Sequence, residues 1–337
     1  MRGKQELLAS FCSWTGLTRV LESLPQPRAL VILNYHRIGN ADETLFDSGV
    51  FSATEEQFDL QIAYLKRRFH MATLEEVFAM MGGDAPQGTS VLITFDDGYL
   101  DNYTLAFPIL RSKGVQAVFF LPTAFIGTGK LPWWDIIAYI IKRSVKRRIH
   151  LDYPEPADFD LTRDRAKQVC MQILRVFAQS AVRDTERFLA NLERECEVSR
   201  PEAGAERCFL NWDEVRDMQQ QGMAFGSHTH SHEILTKLSP ELQREEVRYS
   251  REILERELNR CVDVLAYPVG LKHCFSADTI SALQQTGYRA AFSFYGGSNP
   301  TRKIRPFDIR RYGVAHQSYA RFRLQTTVRT VTGTGSY

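Results

Sequence analysis

Apolar residues fall along this chain in two alternating rhythms. Seven short runs rich in β-branched and aromatic residues, at 29–35, 90–95, 116–121, 223–227, 264–267, 290–294 and 309–314, predict strands. Between most of them, apolar positions recur every three to four residues and predict helices. The segment 55–69 follows Ser52 and Thr54, either of which can cap it, while 99–113 closes at Gly114 and 212–221 at Gly222. Two more helices are expected at 240–259, charged on one side, and at 276–285, ending near Gly287. Strand and helix alternate, so the sheet should be mainly parallel. Seven strands in such an order predict an α/β fold, a distorted seven-stranded (β/α) barrel, with a doubly wound open sheet as the alternative. In both, chemistry belongs at the C-terminal ends of the strands.

The rhythm breaks after the third strand. Residues 123–208 hold Trp133-Trp134, an apolar-to-basic helix over 136–148, a polar stretch over 153–160 containing proline, and two charged helical patterns. They are expected to form a helical insertion in a barrel built from 29–122 and 209–331, followed by a tail at 332–337. Over 1–28, Leu7, Leu8, Phe11, Trp14, Leu17 and Leu21 recur at helical spacing. This predicts an amphipathic helix covering one end of the domain, with membrane-surface contact as the alternative.

Composition narrows the class. An apolar fraction of 44% and a charged fraction of 24% suit a globular protein with a sizeable core. The net charge of +2 lacks the strong basic excess of a nucleic-acid binder, so none is expected as a partner. The cysteines at 12, 170, 196, 208, 261 and 274 include no C-x-x-C pair and form no disulfide framework, which fits a reduced compartment. No apolar run approaches the ~18 residues of a spanning helix. The N-terminus starts basic but is interrupted by Glu6, so no cleavable signal is expected and the location reads as cytoplasmic, or peripheral to a membrane.

Two clusters carry chemistry. Thr94-Phe95-Asp96-Asp97-Gly98-Tyr99 closes the second strand. Neighbours in a strand point to opposite faces, so a turn at Gly98 is needed to bring both acids to one site. There, one carboxylate can bind a metal while the other takes a proton from water. Gly226-Ser227-His228-Thr229-His230-Ser231-His232 closes the fourth strand. Neutral imidazole is the commonest protein metal ligand. His228 and His232 share a face if the strand rolls into a helical turn; His228 and His230 share one if the strand continues. An Asp and two His leave an open position, as in catalytic rather than structural zinc sites.

The two motifs, T-F-D-D-G at 94–98 and H-T-x-x-H at 228–232, resemble those of carbohydrate esterase family four, the NodB-homology polysaccharide deacetylases. The resemblance covers 29–122 and 209–315. It implies a distorted (β/α) barrel, a divalent metal and removal of acetyl from a sugar. It assigns Asp96 as base and Asp97, His228 and His232 as metal ligands. The chain departs from the family at Ala266-Tyr267-Pro268-Val269-Gly270, where the family's R-x-P-F/Y-G places an arginine that orients the base. Arg310 and Arg311 are substitutes of low rank, because paired arginines are usually solvated. The family's D-x-x-D-W-like motif is not evident. Asn34-Tyr35-His36-Arg37 resembles the Y-H element of a circularly permuted branch that includes exopolysaccharide N-deacetylases, and implies His36 as the general acid, with His316 as the alternative.

Tyr99, Trp134 and Tyr267 are candidate sugar-stacking residues, though Trp133-Trp134 serves equally well as an anchor for the insertion. The basic residues over 142–148 read as a solvated helix face, or as a contact for an anionic lipid-linked sugar. The expected activity is metal-dependent hydrolysis of an N-acetyl or O-acetyl group on a carbohydrate, with zinc as the default ion among those that Asp and His ligands admit. The alternatives are a non-sugar amide hydrolase on the same fold and a catalytically weak sugar-binding homologue.

Overall fold

The computed structural model describes residues 2–84, 86–162, 166–178, 182–202, 204 and 206–332; the expected tail, from 333 on, lies outside them. The chain divides into two compact units, one formed by Met1–Gly39, Phe51–Ile126 and Phe209–Tyr337, the other by Asn40–Val50 and Gly127–Cys208.

The first unit is the barrel. Its staves are β1 (Ala29–Tyr35), β2 (Thr89–Asp96), β3 (Ala117–Leu121), β4 (Ala224–Ser227), β5 (Val264–Ala266), β6 (Ala290–Ser293), β7 (Ile309–Arg310) and β8 (Tyr312–Gly313). They lie in the order β1-β2-β3-β4-β5-β6-β7, and β8 returns to β1, with every one of these pairings parallel. The alternative of an open doubly wound sheet is thereby excluded. The run expected as one last strand is broken at Arg311. Ile309 and Arg310 pair with Phe292 and Ser293, whereas Tyr312 and Gly313 pair with Leu33 and Asn34. One stave thus changes partner half-way to close the ring. Below the break, the Asn299 side chain joins the edges: its Nδ2 donates to Leu30 O at 3.2 Å and Arg310 O at 2.9 Å, and its Oδ1 accepts from Arg310 N at 2.9 Å.

The alternation of a strand decides what faces the interior. Leu30, Ile32, Leu92, Val118, Phe120, Val264, Ala266, Ala290, Phe292 and Ile309 form one buried cluster inside the ring, closed by Ala72, Val77 and Met80. Residues of opposite parity, such as Val31, Leu33, Val91, Ile93 and Phe119, pack against the surrounding helices. Both faces of the central staves are therefore apolar, as a parallel sheet requires. Among the described residues, four helices start on capping boxes, at Thr54, Thr73, Asn211 and Ser276, with Thr54 rather than Ser52 capping Glu55–Arg68.

The helix Arg2–Trp14 forms as expected but is turned the other way. Ala9 and Cys12 are buried, whereas Leu7, Leu8, Phe11 and Trp14 are exposed. Its inward face is fixed by polar pairing, with Glu6 held by Arg321 and Ser318.

The second unit has its own core, in which Ile137, Ile140, Ile141, Ile173, Phe177, Phe188, Leu189 and Leu192 meet from the helices Trp133–Arg143, Ala166–Ala178 and Thr185–Cys196. It is not wholly helical: the helix expected to reach 148 ends at Arg143, and Arg148–Leu151 pairs antiparallel with Ala157–Asp160, which lies in the stretch expected to be polar. Asn40–Val50 joins it, with Asp47 N donating to Asp135 at 2.9 Å and Lys142 Nζ donating to Thr44 O at 3.0 Å. Lys142 here, and Lys146 in its pair with Glu197, have partners within the unit, while Arg143, Arg147 and Arg148 are exposed.

Candidate active site

Parity carries polar residues into the barrel mouth. On β1, Leu30 and Ile32 are followed inward by Asn34; on β2, Leu92 is followed by Thr94 and Asp96. Asp96 is nearly fully buried, and its carboxylate is gripped by a wholly buried Arg311: Nη1 to Oδ1 at 2.7 Å and Nη2 to Oδ2 at 2.9 Å. Asn34 Nδ2 donates to the same carboxylate at 3.0 Å. The Asn34 carbonyl in turn accepts from Arg311 at 2.8 Å and from Thr94 Oγ1 at 2.6 Å, while Arg311 Nε donates to Ser293 O at 3.2 Å. Burial alone would push the Asp96 carboxyl up. Arg311 foremost, then His228, overcome that effect and hold it well below the usual carboxylate range.

Arg311 is the residue sequence reasoning undervalued. It stands at the point where the last stave changes partner, and its neighbour Arg310 lies over the Tyr295 ring instead. The available signal was the arginine missing at 266 set against a spare one on the final strand.

Asp97 has the wrong parity for the mouth and is returned to it by the backbone. Asp97 and Gly98 both adopt left-handed conformations, φ 74° and 72°, so the turn begins one residue earlier than expected. Gly98 has a second reason to be glycine: an added Cβ would lie 2.8 Å from the Leu121 side chain. Thr229 and His232 are left-handed as well, at 64° and 61°. Such conformations persist where surrounding contacts over-determine them. Here Glu246 accepts from His230 N at 3.0 Å and Ser231 N at 2.9 Å, and Thr229 Oγ1 accepts from His232 N at 3.1 Å. Glu246 had no sequence signal, since it sits among many charged residues on the helix Pro240–Leu258.

These turns bring Asp97, His228 and His232 together, each buried, with one ligand atom apiece within 4.8 Å of the others. Asp97 Oδ1 lies 3.6 Å from His228 Nε2 and 3.4 Å from His232 Nε2. His228 Nδ1 donates to Ala266 O at 2.8 Å, which leaves Nε2 as the lone-pair nitrogen facing Asp97. Burial above all pushes His228 down to about 4, so its ring is neutral near neutral pH. Two imidazoles and a carboxylate, with His228 turning its lone-pair nitrogen to the cluster, are a donor set that fits a divalent ion. His230 is directed elsewhere, with Nδ1 2.9 Å from Thr123 Oγ1 and its ring against Tyr249.

His36 follows β1 and is half-buried. Its N donates to Ser52 Oγ at 3.0 Å, its O accepts from Asn102 at 2.7 Å, and its ring meets Phe294 edge-on. Its charge is among those that lower both Asp96 and Asp97. His316 is exposed. The three aromatic candidates are buried and offer no open ring to a sugar. Tyr99 stacks on Phe209, and Tyr267 stacks on Phe275 and donates to Phe307 O at 3.0 Å. Trp134 belongs to the second unit, edge-on to Trp133, which itself stacks on Phe177.

The sequence profile of polysaccharide deacetylases matches residues 83–151 and 158–291, more than half of the chain. The chain belongs to the polysaccharide deacetylase family. YxkH of Bacillus subtilis (strain 168), a polysaccharide deacetylase by name, is 23% identical over 266 residues, covering 78% of this chain; the chain spans 64% of that relative's length. Among solved structures, the deacetylase PplD of Streptococcus pyogenes, in complex with acetate, superposes with a TM-score of 0.58 at 19% identity, covering 89% of this chain and 99% of that one. IcaB of Ammonifex degensii gives 0.56 at 18% identity, covering 90% and 98%. At such identities these two likenesses concern the fold. In this member of the family, Ala266 stands where the R-x-P-F/Y-G pattern places an arginine. Its carbonyl serves His228, and Arg311 reaches the Asp96 carboxylate from the opposite end of the sheet order. Among the described residues, no helix is long and apolar enough to cross a membrane.

Proposed function

We propose that this protein hydrolyses acetyl groups from an N-acetylated, or O-acetylated, sugar in a polysaccharide or glycan precursor. The observation that carries the reading is a clamped carboxylate beside a separate donor triangle: Asp96, ionised and held by Arg311 and Asn34, adjoins Asp97, His228 and His232. A purely structural metal site has no use for the second, oriented acid.

In this mechanism Asp96 is the base. Its carboxylate accepts a proton from the attacking water as the water oxygen bonds to the acetyl carbon. Arg311 and Asn34 fix which carboxylate lone pairs face the substrate and keep the acid ionised between turnovers. Asp97, His228 and His232 would hold a divalent ion, zinc by default, which when bound supplies a Lewis acid for the carbonyl oxygen and acidifies water. His36 delivers a proton to the leaving nitrogen as the C–N bond breaks, because an amine anion is too poor a leaving group to depart unaided. Acetate and the free amine result.

The test measures acetate release from N-acetylglucosamine oligomers and from a non-sugar acetamide, by the parent and by Asp96→Asn. The amide cannot accept the proton, so activity on the oligomers should fall by about 10²–10⁴-fold with bound metal retained. Equal rates for the two proteins would remove Asp96 from the mechanism. Hydrolysis of the acetamide alone would move the protein to non-sugar amides, and inactivity of the parent on both would leave a sugar-binding homologue.

A further inference from the structure

The two N-terminal helices present an apolar face outward. Leu7 (74% exposed), Phe11 (57%) and Trp14 (84%) follow one another at helical spacing on Arg2–Trp14, with Leu8 beside them. Leu17, Val20 and Leu24 extend the exposed apolar surface along and beyond Leu17–Glu22. Of fourteen large apolar side chains exposed among the described residues, these are seven, gathered within the first 24 positions. Scattered singly, such residues need no explanation; gathered, they mark a contact surface.

Charge indicates what covers it. Residues 1–28 contain two carboxylates, Glu6 and Glu22. Both are turned inward onto the helix Tyr319–Thr332: Glu6 pairs with Arg321, and Glu22 is held by Arg323 at 2.8 Å and 2.9 Å. Lys4, Arg19 and Arg28 remain exposed on the same segment. The outward surface is therefore apolar and cationic, its acids neutralised behind it. A second copy docking by two-fold symmetry would bring the same cationic patch against itself. An anionic surface meets no such penalty. A helix of 13 residues is about 20 Å long, too short for a bilayer core of about 30 Å, so it would lie on the surface rather than span it. Trp14 and Phe11 are residue types suited to the lipid–water boundary.

We propose that Arg2–Trp14 and Leu17–Glu22 form a docking face for an anionic lipid bilayer, with Leu7, Phe11 and Trp14 entering the headgroup boundary and Lys4, Arg19 and Arg28 meeting lipid phosphates. This proposal does not rest on the hydrolytic reading. The full chain would be sedimented with vesicles of phosphatidylcholine and with vesicles also containing phosphatidylglycerol, at low and high salt. Binding is expected to the anionic vesicles, weaker at high salt. It should fall by more than about tenfold in Phe11→Ser/Trp14→Ser and in Lys4→Glu/Arg19→Glu. These side chains are exposed, so circular dichroism and melting should match the parent. Brominated lipids should quench tryptophan fluorescence in the parent and not in Trp14→Phe. Failure of the parent to bind anionic vesicles, or unchanged binding by both double variants, would overturn the proposal. So would a dimer, seen by light scattering, that Phe11→Ser/Trp14→Ser dissociates.

Discussion

Replacing Arg311 by Met removes a guanidinium while keeping an unbranched side chain of similar length in its place. Arg311 is wholly buried and makes two bonds to Asp96, at 2.7 Å and 2.9 Å, besides those to Asn34 and Ser293. After the change, a buried Asp96 keeps the Asn34 amide as its donor at 3.0 Å. Breaking a buried pair from one side costs about 3–5 kcal/mol, because the remaining charge stays desolvated. Removing both charges, in Arg311→Met/Asp96→Asn, should recover at least about half of that loss. Arg311 holds Asp96 below its unfolded value. A carboxyl depressed in this way contributes stability above its unfolded value of about 3.9 and loses it as the pH falls through the folded value. The deficit of Arg311→Met is therefore full near neutral pH and narrows in acid. Hydrogen exchange of β1 and β2 amides in chelator-treated protein reads the barrel apart from the second unit. A deficit under about 0.5 kcal/mol, or a double variant whose loss is the simple sum of the two single losses, would refute the reasoning.

Three further outcomes follow from the site and the staves. Elemental analysis should find bound metal lost from Asp97→Ala, His228→Ala and His232→Ala but kept by His230→Ala; loss in the last with retention in His232→Ala would return the ligand set to H-x-H. His36→Ala should lower turnover of an acetylated amine by about 10²–10⁴-fold and recover much of it on an activated aryl acetate, whose leaving group needs no proton; a large loss for His316→Ala with a normal His36→Ala would move the acid to the end of the chain. Gly226→Ala would set a Cβ 2.6 Å from the Phe120 ring and 2.8 Å from Val264, so thermal melts should show about 1–3 kcal/mol of destabilisation, and an unchanged melt would mean that the interior yields there.

The positions of the seven strands, the parallel order and the two motif-bearing strand ends were legible in the sequence because each rests on local pattern: period two, period near 3.6, and turn residues at the ends. The same parity that hides Leu30, Ile32 and Leu92 inside the ring aims Asn34 and Asp96 at its mouth. Spacing alone left His230 and His232 both open and the motif resemblance favoured His232; the physical reason lies in left-handed turns held by Glu246 from a distant helix. Arg311 escaped for a related reason: a pair of arginines looks solvated until the stave breaks between partners and turns one of them inward. The aromatic candidates failed in the opposite direction, because ring type reports capacity to stack and says nothing of burial. Likewise, the spacing of Leu7, Phe11 and Trp14 established a helix and a face, while the pairing of Glu6 and Glu22 with Arg321 and Arg323 decided that this face looks outward. Local periodicity specifies elements and their sides; which side is buried, and which distant charge a carboxylate meets, is settled when the ring closes and places chain ends almost three hundred residues apart side by side, as Asn34 and Arg311 are.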